Sequence, residues 1–207
     1  MARIPYPDLD TLDPKVGDFM RRIDPMVNVF HMLSHAETAV RPFMQLGNAL
    51  LFKGDLDDVL REIVILRVGH VTGSTYEVHQ HRIVGKHCGM TDAQIDAVPV
   101  GAESDVFDAK QKLAIQVTDE VIANVRLKDE TFKAAEAAFS HRELTELFLV
   151  IGFYNMIAGF LENMQIEQLD TPSSSNTESA GSSGQKGDQV HDSLSTDKEM
   201  EIKGEVK

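Results

Sequence analysis

The segment "DDVLREIVILRVGHV", residues 57–71, constrains the fold most. At 3.6 residues per turn, Val59, Leu60, Ile63, Val64, Leu66 and Val68 cover most of its circumference. A helix apolar nearly all round must be buried from several sides, so this one is expected at the centre of its domain. The flanking text offers the elements to bury it. Helical patterning runs over 15–23 and on through "MVNVFHMLSH", then over 37–52 with Gly54 as its expected C-cap. It resumes over 75–87, closed by Gly89, and over 105–124, in "KDETFKAAEAAFS", and from Ser140 to about residue 167. "TDAQ" at 91–94 and "SHREL" at 140–144 have the form of capping boxes and mark helix starts. The N-terminal "RIPYPDLDTLDP" holds three prolines and reads as an extended arm. No segment alternates as a strand does, so the fold class is all-α.

Composition sets limits on this core. Aromatic residues make up 6% of the 207 residues and tryptophan is absent, so alanine, leucine, valine, isoleucine and methionine fill the interior. From Thr171 onward serine, glycine and charge dominate, and apolar residues stand singly. Such a segment buries too little surface to offset its ordering entropy, so a helical domain over 1–170 and a disordered tail over 171–207 are expected. The formal charge of −13 disfavours nucleic acid and anionic membranes as partners. One cysteine, Cys88, permits no intrachain disulfide and reads as a small buried filler. That fits a reducing, cytoplasmic setting, and the N-terminus shows no apolar signal region. The run "LFLVIGFYNMIAGFL" is too short to cross a bilayer and reads as a buried core helix.

The chemistry gathers at "GSTYEVHQH", residues 73–81. Glu77 and His81 are four apart and share one helix face. A carboxylate beside an imidazole fixes its tautomer and makes a usable acid–base pair near neutral pH. Glu62 lies one helix earlier, and a break at "TGS" would let it face the same place. Arg61 and Arg67 are nearby cations suited to a carboxylate. A plainer reading stands beside this one: "STYE" is itself a capping box, with serine at N-cap and glutamate at N3. A metal set of Glu62, Glu77 and His81 with His70 or His87 lacks any HExxH or Cys–His pattern, so no metal and no cofactor are expected. His31 and His35, also four apart, are further candidates for lining the site.

The stretch "LREIVILRVGHVTGSTYEVHQHRIVGKHCGMTDAQIDAV" resembles the core motif of the carboxymuconolactone decarboxylase-like family, within the alkylhydroperoxidase D-like superfamily. "YPDLDTLDP" and "FHMLSHAETAVRPFMQLGNALLFKGDLD" before it and "ELTELFLVIGFYNMIAGFLENMQIE" after it extend the resemblance over residues 3–169. The resemblance implies an all-helical fold that assembles as a homo-oligomer: a dimer, trimer or hexamer. The peroxidase branch carries a glutamate, a CxxC pair and a histidine. By spacing, Glu62 falls on that glutamate, His81 on the histidine, and Ser74 and Glu77 on the two cysteines. A serine and a glutamate cannot cycle through a disulfide, so a thiol peroxidase is excluded. The decarboxylase-like branch reads Tyr-Glu-x-x-x-His, met here by Tyr76, Glu77 and His81, with Val78 where that branch often has tryptophan. It implies a cofactor-free lyase acting on a small carboxylic acid or lactone. In that scheme His81 donates a proton, Glu77 orients it, Glu62 is a second acid or base, and Arg61 or Arg67 holds the substrate carboxylate. Ser74, Tyr76 and His35 complete the expected substrate-binding set. A dehydratase, isomerase or cyclase working on a secondary-metabolite intermediate, in a greasier pocket lined by Phe30, Met32 and Phe43, is the first alternative. A non-catalytic oligomeric scaffold is the second.

Overall fold

The computed structural model describes residues 1–168, so the expected tail lies outside the described residues. The described residues are all-helical and fall into two compact units, one of residues 6–40 and one of residues 1–5 with 41–167.

The smaller unit holds α1 (Pro14–Met20) and α2 (Asn28–Leu33). Asp13 caps α1 by accepting the Lys15 backbone N–H at 2.9 Å. The expected run from residue 15 through 35 is interrupted over 21–27. Pro25 lacks a backbone donor and pushes Asp24 out of the helical region, which accounts for the break. His31 stacks on Tyr6 with ring centroids 5.1 Å apart, and its Nε2 lies 2.9 Å from the Pro7 carbonyl oxygen.

The larger unit contains α3 (Val40–Phe52), α4 (Asp58–Thr72), α5 (Thr75–His87), α6 (Asp92–Ala97), a 3-10 turn (Gly101–Glu103), α7 (Ala109–Asn124), α8 (Asp129–Ala138) and α9 (His141–Met164). α4 is central, as its apolar circumference requires, and packs against α5, α7 and α9. On one side Leu60, Val64, Ile65 and Val68 meet Ala114 and Val117 of α7 and Leu147, Ile151 and Tyr154 of α9. On another, Ile63 and Leu66 join Met90, Ile95, Val98 and Phe107. α9 has 24 residues and is long and apolar enough to cross a membrane by length and composition alone. Here it lies along α4 and buries Leu144, Leu147, Val150, Ile151, Tyr154, Ala158 and Leu161.

Three boundaries differ from the pattern, the first being α3, which starts at Val40 rather than 37. α7 starts at Ala109 rather than 105, because Asp108 and Gln111 form a capping box that sets its first turn. Gly54 is not a left-handed C-cap: a Cβ there would lie 2.9 Å from Glu146 Oε2, which accepts the backbone N–H groups of Asp55 and Leu56. Its smallness makes room for a carboxylate that ties the α3–α4 loop to α9.

Candidate active site

The corner between α4 and α5 builds the site. Gly73 ends α4 in the left-handed region, with φ of 75°. α5 then folds back against α4 at two glycines. A Cβ on Gly69 would lie 2.9 Å from Val78 Cγ2 and 3.4 Å from Glu77 Oε1. One on Gly85 would lie 2.7 Å from Met90 Sδ and 3.7 Å from Glu62 Cβ. These close approaches bring Glu62 of α4 up to His81 of α5. Gly69→Ala is therefore expected to destabilise by about 1–3 kcal/mol through overpacking, outweighing a helix-propensity gain of about 1 kcal/mol. Urea unfolding checks this, and an unchanged midpoint would mean that α5 yields freely.

Glu62 is fully buried, and its Oε2 lies 2.7 Å from His81 Nδ1. Its Oε1 accepts from Arg61 Nε at 3.2 Å. A carboxylate only accepts, so in the neutral ring Nδ1 carries the proton and Nε2 presents the lone pair. Arg61, 4% exposed, also pairs with Asp58 and points Nη2 at Cys88 Sγ, 3.7 Å away. The Tyr154 ring meets His81 edge-on, centroids 4.9 Å apart. Burial holds the Tyr154 phenol well above its ordinary value, and the Glu62 and Glu77 carboxyls add to the effect.

Glu77 stands apart from this pair. It is 2% exposed, yet neither carboxyl oxygen has a hydrogen-bond partner, and the buried Ser74 Oγ has none either. Burial pushes the Glu77 carboxyl up to about 9. The expectation that Glu77 orients His81 is corrected: Glu62, reaching across the corner, takes the ring nitrogen. The capping reading is corrected too. Thr91, Asp108 and Ser140 form capping boxes with ψ of 156°, 175° and 159°, whereas Ser74 has ψ of 92° and makes no side-chain cap bond. Ser140→Ala is accordingly expected to cost about 1 kcal/mol and Ser74→Ala to lose no capping energy, read from paired urea melts.

Residues 37–120 match the carboxymuconolactone decarboxylase family. The match spans Glu62, Ser74, Glu77 and His81 and stops short of Tyr154 on α9. The fold superposes on an alkylhydroperoxidase AhpD core, an uncharacterised peroxidase-related protein from Ralstonia eutropha JMP134, with a TM-score of 0.71, 20% identity, and coverage of 82% of this chain and 93% of that one. It superposes equally on an uncharacterised peroxidase-related protein from Silicibacter sp. TM1040, with a TM-score of 0.71, 14% identity, and coverage of 82% and 92%. The debrominase Bmp8 in complex with 2,3,4-tribromopyrrole follows with a TM-score of 0.64, 12% identity, and coverage of 82% and 91%. At these identities the likeness is one of fold. No functionally curated protein matches the sequence.

Within the matched segment, the two positions that the resemblance aligns with a redox dithiol are held by Ser74 and Glu77. The single cysteine, Cys88, is half-buried beside Arg61, and burial pushes its thiol up. Arg67, expected to meet a substrate carboxylate, is engaged within the protein: Nε and Nη2 donate to Asp119 of α7 at 2.6 and 2.9 Å, and Nη1 donates to the Val98 and Pro99 carbonyls. It clamps α4 to α7 and to the end of α6. Tyr76 is buried on α5, and His35 is exposed in the smaller unit, which also holds Phe30 and Met32. Among the described residues no three His, Cys, Asp or Glu side chains cluster as a metal set. Sequence reasoning missed Tyr154 as a site residue, because inside the apolar run of α9 its only signal was that of a core position.

Proposed function

We propose that this domain is an acid–base enzyme that moves a proton at the carbon beside a carbonyl group of a small organic molecule, as an isomerase, dehydratase or cyclase does. The reading rests on two buried carboxyls in opposite settings. Glu62 is paired with Arg61 and His81, while Glu77 is alone and pushed up to about 9. Carboxyls whose surroundings pull them apart divide naturally into a base side and an acid side. In the forward step His81 Nε2 takes the proton from carbon, and Glu62 stabilises the imidazolium so formed. The electron pair moves to the carbonyl oxygen, which Glu77 protonates to give the enol. Return of a proton to a different carbon completes an isomerisation, and loss of a β-hydroxyl as water completes a dehydration. Tyr154 packs the edge of the imidazole and limits its rotation.

The family match supports a second reading, loss of CO2 from a carboxylated lactone with protonation of the resulting carbanion. The tribromopyrrole bound to the debrominase supports a small ring as ligand. A homo-oligomer belongs to the same proposal, since α9 leaves Leu149 and Met156 half exposed. The test uses a panel of cyclic enones and lactones in D2O. NMR follows deuterium entering beside the carbonyl, and a CO2 readout runs in parallel. His81→Ala should slow exchange by about 10²–10⁴-fold. If the wild-type chain accelerates exchange on no member of the panel, the proton-transfer reading fails, and CO2 release without exchange would select the second reading.

A further inference from the structure

We infer that the site takes an uncharged ring whose carbonyl oxygen is held by Ser74 and Glu77, and that it discriminates against the same ring carrying a carboxylate. The inference rests on the proposed acid–base reading and adds the class of substrate. Its basis is the inventory of charges and unpaired polar atoms around the corner. Arg61 is already bound to both Glu62 and Asp58. Arg67 is bound to Asp119 and two backbone carbonyls. The ring nitrogen of His81 nearest Glu62 is taken by that carboxylate. A ligand carboxylate would thus arrive next to a buried anion with neither arginine released to offset it, which is costly in a dry site.

An uncharged carbonyl meets the opposite conditions. The Ser74 hydroxyl and the Glu77 carboxyl are buried with no hydrogen-bond partner, an arrangement that is destabilising unless something else completes it. Ser74 is the N-cap residue of α5 and Glu77 lies three residues on, in its first turn. Each is an O–H donor when protonated, and a carbonyl oxygen has two lone pairs to receive them. The hydroxyl and the carboxylic acid also retain acceptor capacity, which suits an enol O–H on the product side.

Ligand-observed NMR titration of the full chain at neutral pH tests this. The probes are butenolide and cyclohex-2-enone, each against the same ring bearing a carboxylate. The uncharged rings should bind at least about tenfold more tightly than their carboxylated partners, as a site built around hydrogen-bonding groups discriminates. Glu77→Leu should abolish the difference by weakening the uncharged ring, and Ser74→Ala should weaken it severalfold, both with unchanged circular dichroism. Carboxylated rings binding as tightly as uncharged ones, binding by neither, or full binding by Glu77→Leu would each overturn the inference. Deuterium exchange on whichever ring binds separates the two claims. Exchange on a carboxylated ring sinks this inference and leaves the acid–base reading. Tight binding of an uncharged ring without exchange does the reverse.

Discussion

Glu77→Gln is expected to melt about 5–10 °C higher than the wild type at pH 8 while losing at least about a hundredfold in turnover. The sign follows from where the proton sits. The ordinary value of this carboxyl is 4.5, and burial raises it to about 9 in the folded chain. Between those values the unfolded chain releases the proton and the folded chain keeps it, so stability falls as pH rises. Each unit corresponds to about 1.4 kcal/mol. With allowance for local relaxation around the ionised group, the burden at pH 8 is about 2–4 kcal/mol. Glutamine is neutral at every pH and escapes it. The gain should therefore shrink towards zero near pH 5 and widen up to about pH 9. Calorimetry of both proteins from pH 5 to 8 checks this. A constant difference across the range, or a less stable variant at pH 8, would refute the assignment. A residue kept at a cost to stability but needed for turnover is what a functional site predicts. Turnover of the wild type should decline as pH passes about 9, where Glu77 loses the proton it is to donate.

Glu62→Ala is expected to destabilise by about 3–5 kcal/mol, a large share of the stability of an ordinary domain. The residue is fully buried between Arg61 and His81, so truncation removes the acceptor of both and leaves a buried guanidinium with Asp58 as its one remaining carboxylate and the Cys88 sulfur as a weak acceptor. It also opens a void under α5 where Gly85 approaches Glu62 Cβ. Glu62→Gln should lose much less stability, because its amide oxygen still accepts one of the two bonds. Its turnover should nevertheless fall with that of His81→Ala, since the imidazolium loses its counter-charge. Denaturant titration separates the cases. An Ala variant within about 1 kcal/mol of wild type would mean that water or backbone shifts satisfy Arg61 unaided.

Local periodicity and caps were legible in residues 57–71, in "TDAQ" and in "SHREL", since each depends on residues within about four positions of one another. The apolar circumference of α4 announced its central place, and the "TGS" break announced a corner there. The same short-range logic failed at "STYE". The box pattern is present, but Ser74 follows the left-handed Gly73 and its backbone does not swing the hydroxyl over the helix end. Partner choice was the other thing that spacing could not decide. Glu77 and His81 share a face by the i, i+4 rule, yet His81 bonds Glu62, because two close-approach glycines press α5 onto α4. Arg67 looked available until α7 brought Asp119 to it. Tyr154 entered the site only when α9 lay down along α4.

The sequence by itself determined the helices, their order and the central position of α4, because helix formation and apolar patterning act between near neighbours. Only the tertiary structure decided which carboxyl is paired and which is left alone. That outcome depends on how distant segments divide one buried space and its few hydrogen-bonding groups, and no local pattern carries it.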